Sequence, residues 1–275
     1  MKKVKFLFTA LLAGGVYIAH AQTASAPMAK HEDTEVDGPM PKVVTPANIE
    51  YKGAPSDAVI LFDGRNLDQW VKTADGSPAA WTVDDGILTV KKDGGNIETK
   101  QKFGSYQLHI EWRIPANITG SGQLRGNSGV FLASLGKGDL GYELQVLDSY
   151  NNPTYVNGMA GSIYKQFIPL ANAARKPGEW QAYDVIWTAP TFNEDGTVLT
   201  PAHVTVLFNG VLVENNITLL GPTQYVGKPS YSIKHGPAPI KLQAHGDKSE
   251  PISYRNIWVR ELPGQQVPAV EAHKM

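Results

Sequence analysis

The sequence predicts an all-β fold, a two-sheet antiparallel jelly-roll sandwich. The chain contains many short runs that alternate apolar and polar residues, and Gly, Pro, Asn and Asp separate these runs. Aromatic and β-branched residues take one parity of the runs, as a core between two sheets requires. Heptads, internal repeats and a long amphipathic helical pattern are all missing from the sequence.

The predicted strands extend from Trp81 to Glu261. Residues Trp81–Val90 form two short runs around Asp85-Gly86, which is typical of a hairpin. Tyr106–Ile114 has the clearest alternation, and Asn209-Gly210 is the strongest short turn signal. The remaining predicted strands are Ser128–Ala133, Tyr142–Leu147, Tyr183–Thr188, His203–Phe208, Val211–Val213, Ile240–His245 and Asn256–Glu261.

The N-terminus has the pattern of a bacterial signal peptide over residues 1–21. Lys2, Lys3 and Lys5 precede a mostly apolar run, and Ala19-His20-Ala21 forms an A-x-A cleavage site. Cleavage after Ala21 predicts a periplasmic or secreted protein. Residues 22–56 are predicted to be a flexible linker leading into the domain, 57–262 the jelly-roll catalytic domain, and 263–275 a flexible tail.

Charge and composition exclude several classes of partner and site. The net charge is −1, and it becomes −4 once the three lysines of the leader are removed. Such a chain has no general attraction to nucleic acid or to an anionic membrane, and the apolar run is too short to predict a membrane span after cleavage. The chain has no cysteine, which excludes a disulfide, a thiolate metal site and a lipidated-cysteine anchor.

The run Tyr142–Leu147 places a carboxylate beside an amide. Glu143 and Gln145 share one face of the predicted strand, whereas its apolar residues take the other. Partial burial would raise the pKa of Glu143 toward neutrality, which suits proton transfer. The alternative is a structural ion pair with Arg125 or Arg113.

His245 is the candidate imidazole, because it shares a face with Lys241 and Gln243 and can act as acid or base near neutral pH. The alternative is a core or capping histidine. His235 lies in the Gly- and Pro-rich run KHGPAP, where it is expected at a groove rim or simply in an exposed loop. Polar residues at one parity on several strands would line a groove, although one wetted sheet face gives the same pattern.

The loop Arg125–Gly129 offers a guanidinium, the Asn127 amide and a hydroxyl for binding sugar hydroxyls or an oxyanion. It is not a phosphate loop, because no Gly-Lys-Ser/Thr follows. The spacing of Glu143, Gln145 and Asp148 invites comparison with the strand of laminarinase-type glycosidases. There two carboxylates share one face, but here Asp148 has the wrong parity unless a bulge intervenes.

The sequence is compatible with a metal site but has no metal-binding motif. Glu, Asp, Asn and backbone oxygens could hold a divalent cation, but no EF-hand loop and no H-E-x-x-H helix is present. An organic cofactor is not expected.

Seven motifs together resemble one known family. The chain from Val59 to Leu262 is similar to the 3-keto-disaccharide hydrolase family. Each motif alone is a weak match, but the combination of all seven is specific for this family. The matching segments are Leu61–Trp70 (LFDGRNLDQW), Trp81–Leu88 (WTVDDGIL), Phe103–Arg113 (FGSYQLHIEWR), Arg125–Val130, Tyr142–Asp148, Gly161–Tyr164 and Arg255–Val259.

The resemblance implies a concanavalin A-like, laminin-G-like jelly roll that acts on glycosides oxidised at C3. A base removes the acidified C2 proton, and the group on C1 leaves to give an enone. If water then adds to the enone, the overall reaction is hydrolysis. If the enone is released without water addition, the enzyme is a lyase. Under this resemblance Glu143 or His245 acts as base or acid, and Arg125 or a bound cation stabilises the enolate. The residues expected to position or bind the sugar are Asn127, Gln145, Asp148, Tyr164, His235 and Gln243.

Two alternatives remain at this stage. One is a carbohydrate-binding module of the same fold without catalysis, because a fold does not fix a function. The other is a laminarinase-type glycoside hydrolase that cleaves unoxidised glucan.

Overall fold

The structure is a computed structural model, and it describes residues 30–47 and 53–263. The described residues are almost entirely β-strands and connecting loops. The strands in chain order are β1 (Val59–Phe62), β2 (Trp70–Lys72), β3 (Thr82–Asp84), β4 (Ile87–Thr89), β5 (Ile97–Thr99), β6 (Tyr106–Arg113), β7 (Ser128–Ser134), β8 (Gly141–Val146), β9 (Trp180–Thr188), β10 (Thr191–Phe192), β11 (Val198–Thr200), β12 (His203–Phe208), β13 (Val211–Thr218), β14 (Lys241–Leu242) and β15 (Ser253–Glu261). Short 3-10 turns lie at His31–Thr34, Lys92–Gly94, Gly122–Leu124 and Val156–Gly158.

Two antiparallel sheets form the sandwich. The larger has the order β13-β12-β9-β6-β15-β4-β3, with β1 also paired to β15. The smaller has the order β2-β5-β14-β7-β8, and β10 and β11 form a separate hairpin. The predicted all-β jelly-roll sandwich is confirmed.

The core lies between the two sheets, and tyrosine hydroxyls cross it. Tyr106 donates to the Leu132 carbonyl at 2.6 Å, and Tyr183 donates to the Gln145 carbonyl at 2.7 Å. Each joins a strand of the larger sheet to a strand of the smaller one. Because a buried hydroxyl without a partner is costly, these bonds fix the relative position of the sheets as well as filling the core.

The alternation predicted for Tyr106–Ile114 is present, but its polar side lies away from the pocket described below. His109 contacts Asp184 at 2.7 Å and Glu111 contacts Arg255 at 2.6 Å, on the outer face of the larger sheet. The predicted strand Ile240–His245 is shorter than expected, since only Lys241–Leu242 pairs on both sides.

Residues 30–47 are bound to the domain, whereas the sequence predicted a flexible linker there. Val36 accepts a hydrogen bond from the Val156 amide at 3.0 Å and donates to the Asn157 side chain at 3.1 Å. Further along, Val43 pairs with Asn172. Loops of the domain thus satisfy backbone groups of a segment that has no periodicity of its own.

The predicted leader, its cleavage site after Ala21 and the tail from residue 264 lie outside the described residues, so the predicted location stays a prediction. Over residues 30–47 and 53–263 there is no helix with the length and apolarity to cross a membrane.

The stability of the fold is expected to depend on pH because Glu214 on β13 is buried. Glu214 is 2% exposed, one of its carboxyl oxygens has no hydrogen-bond partner among the described residues, and burial raises its pKa to about 8 from 4.5. The folded state therefore holds a proton that the unfolded state releases. The contribution of Glu214 to stability is complete below about pH 4.5 and is lost as the pH rises from there through about 8, with a slope of roughly 1 kcal/mol per pH unit.

Glu214→Gln is expected to flatten this decline, because the amide does not titrate. Urea unfolding of the wild type and the variant between pH 5 and pH 9 checks the result. Glu143, whose pKa is also raised, leaves a residual slope in both proteins. Parallel stability curves over this range would contradict the prediction.

Candidate active site

A cavity of about 290 Å³ opens on the outer face of the smaller sheet. Its floor is made of buried side chains and its rim of half-buried or exposed ones. The floor residues are Asn127, Glu143, Gln145, Thr223 and Gln243, and the rim residues are Asp139, Tyr164, Tyr225 and His245.

Strand pairing explains why the floor is polar. On β8, Leu144 and Val146 are fully buried in the core, so Glu143 and Gln145 face the cavity. Gln145 lies opposite Gly129 on β7, and the amide of Gln243 donates to the Gly129 carbonyl at 3.0 Å. The polar side chains of β8 and of Gln243 therefore lie close together, with Gly129 of β7 between them.

Glu143 is the buried carboxyl of the floor, with 5% exposure. Burial, together with the negative charge of Asp139, raises its pKa to about 8, and the positive charge of Lys241 opposes this rise. The end of the Gln145 side chain lies 3.2 Å from Glu143 Oε1, which is within hydrogen-bond distance. Near neutral pH this carboxyl is therefore largely protonated and able to donate a proton.

The position of the Glu143 carboxyl depends on the glycine beneath it. A Cβ at Gly129 would lie 2.5 Å from Glu143 Oε1 and 3.1 Å from its Cδ. The backbone at Gly129 does not have a positive φ, so the chain itself would accept alanine there. The missing side chain makes room for the carboxyl group.

Gly129→Ala is accordingly expected to displace the carboxyl while the fold is kept, because the end of a glutamate side chain can move. A displacement of this size predicts a loss of turnover of about 100-fold. Gly104→Ala is the matched control, since an added Cβ there meets nothing within 4 Å. Steady-state kinetics and melting temperatures of both variants check the prediction, which equal activities would contradict.

His245 is held at the rim by a buried carboxylate. Its Nδ1 lies 2.8 Å from Asp247 Oδ2, and the Asp247 side chain is fully buried. Burial opposes ionisation of Asp247, but hydrogen bonds from His245, Ser249 and Lys92 outweigh it and lower its pKa. Because the carboxylate only accepts, Nδ1 carries the proton, which leaves Nε2 of the neutral ring as the proton acceptor.

Two tyrosines add a hydroxyl donor to the rim. The hydroxyls of Tyr155 and Tyr164 are 2.6 Å apart, and the Tyr164 amide donates to the Glu143 carbonyl at 3.1 Å. Burial raises the pKa of Tyr155 to about 12 and raises that of Tyr164 further. Both phenols therefore stay neutral, and one O–H of the pair remains to donate to a ligand.

The amides of the floor are suited to sugar hydroxyls. Asn127 donates to the Gln123 carbonyl at 2.8 Å, and Gln145 lies 3.1 Å from the Gln123 side chain. The Oε1 atom of Gln243 is buried and has no hydrogen-bond partner in the described part of the chain. An unsatisfied buried acceptor of this kind is stabilised by a hydroxyl group of a ligand.

The structure brings six of the nine sequence-predicted residues to the cavity and leaves three outside its lining. Arg125 lies 2.7 Å from Asp148, whose carboxyl is buried, so each neutralises the other. Burial raises the pKa of Asp148 despite this pairing. His235 contacts the Tyr142 hydroxyl at 3.0 Å and lines a different cavity. The six lining residues are Asn127, Glu143, Gln145, Tyr164, Gln243 and His245.

Sequence reasoning missed the floor residue Thr223, the rim residues Asp139 and Tyr225, and Asp247, which supports His245. Asp139 lies in the loop after β7, where Lys241 donates to the Gly136, Gly138 and Leu140 carbonyls. Only Asp247 left a signal, since the spacing His245-Gly-Asp247 is suited to a local imidazole–carboxylate pair.

A metal site built from side chains is not evident. Across residues 30–47 and 53–263, no group of three or more His, Asp or Glu side chains could hold a metal ion.

The sequence of the domain matches a known family. Residues 57–260 match the profile of the family described as "3-keto-alpha-glucoside-1,2-lyase-like domain". The chain belongs to this family. The resemblance seen in the sequence is confirmed, and so is the prediction of a carbohydrate-cleaving enzyme at the level of the family.

Relatives with known structures share this fold. A crystal structure from Parabacteroides distasonis, described as a putative glycosyl hydrolase, is 56% identical, covers 85% of this chain and 97% of its own, and has a TM-score of 0.73. A second structure from that organism is 19% identical with a TM-score of 0.53, covers 75% of this chain and 94% of its own, and shows the fold alone. A curated 3-keto-disaccharide hydrolase of Bacteroides thetaiotaomicron is 27% identical over 66% of this chain and 71% of its own.

Proposed function

We propose that the cavity cleaves glycosides that carry a ketone at C3, with His245 as the base and the protonated Glu143 carboxyl as the acid. The observation that carries this proposal is the pairing of two complementary groups in one cavity of a 3-keto-glucoside lyase-like family member. One is a buried carboxyl with its pKa raised to about 8, and the other is an imidazole oriented by Asp247.

Because the C3 ketone acidifies the C2 proton, cleavage of the glycosidic bond does not require a pair of carboxylates. In the first step Nε2 of His245 takes the proton from C2, and the electrons of the C2–H bond move to the C3 oxygen to give an enolate. In the second step these electrons return to form the C1–C2 double bond as the C1–O bond breaks. Glu143 gives its proton to the leaving oxygen, which departs as an alcohol.

The roles follow from the raised pKa of Glu143 and from the orientation of the His245 ring. A carboxyl with a pKa of about 8 starts protonated, and an imidazole whose Nδ1–H is held by a carboxylate presents a free Nε2. The Glu143 carboxyl therefore begins with the proton that its step requires, and the hydrogen bond to Asp247 leaves Nε2 as the nitrogen of His245 that can accept a proton. Efficient proton transfer is favoured when the pKa lies near the working pH.

Enolate stabilisation falls to neutral donors of the cavity, because Arg125 is paired with Asp148 outside it. The hydroxyl of Tyr164 and the side-chain amide of Asn127 line the same cavity as Glu143. Neutral donors aimed at a developing oxyanion lower a barrier when water is excluded. Release of the enone gives a lyase, and addition of water to it gives a hydrolase.

Cleavage assays with a 3-keto-glucoside and its parent glucoside test the proposal. Cleavage of the keto form alone is the expected result. Binding of both without cleavage would instead favour a carbohydrate-binding module, and cleavage of the parent would favour a laminarinase-type hydrolase. Either outcome would overturn the proposal.

A further inference from the structure

The rim of the cavity is supported by a segment that precedes the part of the chain shared with the family. Residues 31–36, termed the strap, lie before the matched region, which begins at residue 57. Amide and carbonyl groups of Val36 bind residues 156 and 157, and Asn157 donates to the Thr34 carbonyl at 3.0 Å. The strap is thus fixed to the 3-10 turn that follows Tyr155.

The strap meets the cavity at an aromatic residue. The ring of His31 stacks on the ring of Tyr225, with centroids 4.9 Å apart and planes 17° from parallel. Glu32 and Glu35 both contact the His31 ring, at 2.6 and 3.2 Å, and hold its orientation. Tyr225 lines the cavity and still exposes 58% of its surface, so it keeps a large area for a ligand.

A buried lysine ties the strap and the rim together. Lys165 donates to the His31 carbonyl at 2.7 Å and to the Tyr225 carbonyl at 3.1 Å. Its Nζ also lies 4.6 Å from the centre of the Tyr225 ring and 5.9 Å from that of Tyr164. Because its side chain is only 1% exposed, this ammonium is a fixed part of the rim and not a mobile surface charge.

The depth of the cavity indicates which part of a substrate the rim contacts. The proton-donating Glu143 lies on the buried floor, whereas Tyr225 is exposed at the mouth. The leaving oxygen must reach Glu143 at the closed end of the cavity, so the sugar ring that it carries extends back toward the open mouth, where Tyr225 is exposed. An aromatic side chain that is already held in place binds that ring without a large cost of ordering.

We propose that His31 and Tyr225 form a platform for the leaving group, so that the strap makes the enzyme selective for substrates with a second sugar ring. This inference rests on the proposed function, since it takes the leaving oxygen to lie at Glu143 on the floor. It adds a selectivity element that lies outside the matched region of the family.

Two substrates with the same 3-keto-glucosyl group test the platform, one a 3-keto-disaccharide and the other a methyl 3-keto-glucoside. His31→Ala is expected to raise KM for the disaccharide by about 2- to 10-fold through the lost pre-ordering of Tyr225, with kcat unchanged. KM for the methyl glycoside should stay the same. Tyr225→Ala should act in the same direction, and the double variant should lose no more than Tyr225→Ala alone.

His203→Ala is the matched control, because His203 lies on β12 of the larger sheet and contacts Thr218 rather than the cavity. Melting temperatures show that each variant is folded. An equal loss with both substrates, or no change with either, would overturn the inference.

If the wild type cleaves neither substrate, the proposed function fails separately. The platform is then tested by the dissociation constants of the parent disaccharide and of methyl glucoside. A weakening by His31→Ala that is confined to the disaccharide supports the platform, and equal constants in wild type and variant overturn it.

Discussion

Replacing Glu143 by glutamine is expected to lower the turnover of a 3-keto-disaccharide by about 10²- to 10⁴-fold. The amide keeps the shape of the side chain and the contact with Gln145, but it has no proton to give to the leaving oxygen. A substrate with a leaving group that needs no proton, such as 4-nitrophenyl 3-keto-glucoside, should lose far less activity in the same variant. Steady-state rates with both substrates measure the difference.

The acid role of Glu143 also predicts the direction in which activity changes with pH. A carboxyl with a pKa of about 8 that acts as an acid loses its proton as the pH rises, so kcat/KM of the wild type should fall above about pH 8. Glu143→Gln should lack that alkaline decline. Glu214→Gln is the matched control, because Glu214 is a buried carboxyl of similar pKa outside the cavity lining, and it should keep the wild-type profile. A wild-type rate that rises through pH 8 would contradict the acid role.

His245→Ala has the other large expected effect, again about 10²- to 10⁴-fold. The base acts before the leaving group departs, so the loss should be similar for the disaccharide and for the 4-nitrophenyl substrate. Added imidazole should restore part of the activity, because the cavity left by the side chain opens at the half-exposed rim. His203→Ala should retain wild-type rates.

A misfolded protein would not respond to imidazole, so rescue separates a chemical role from a structural one. Near wild-type turnover in His245→Ala, or a loss with only the disaccharide, would contradict its assignment as the base.

Period-two alternation was sufficient to predict both the sandwich and the floor of the cavity. In Tyr142–Val146 the apolar residues enter the core, which forces Glu143 and Gln145 onto the opposite face. This information is local, since it depends only on the direction of successive side chains in one strand. The same alternation in Tyr106–Arg113 could not tell which outer face carries the cavity, and His109 and Glu111 lie on the other sheet.

Contacts between distant segments could not be predicted from the sequence. The pairing of Arg125 with Asp148 removes both from the cavity, and it depends on how two loops meet at the end of β8. The bulge at Asn256, with φ of 45°, shifts the register between β15 and β6, so parity along β15 could not be read directly. The strap binds through backbone groups, which leave no pattern in side-chain hydropathy.

Removal of the C2 proton is the central claim of the proposed function. The direct test uses a 3-keto-disaccharide that carries deuterium at C2, incubated in ordinary water, with an incubation lacking enzyme to measure spontaneous exchange. Mass spectrometry of the cleaved product should show that the deuterium is lost, whether the enone is released or hydrated. Cleaved product that retains deuterium at C2 would contradict the account, because the glycosidic bond would then have broken without deprotonation.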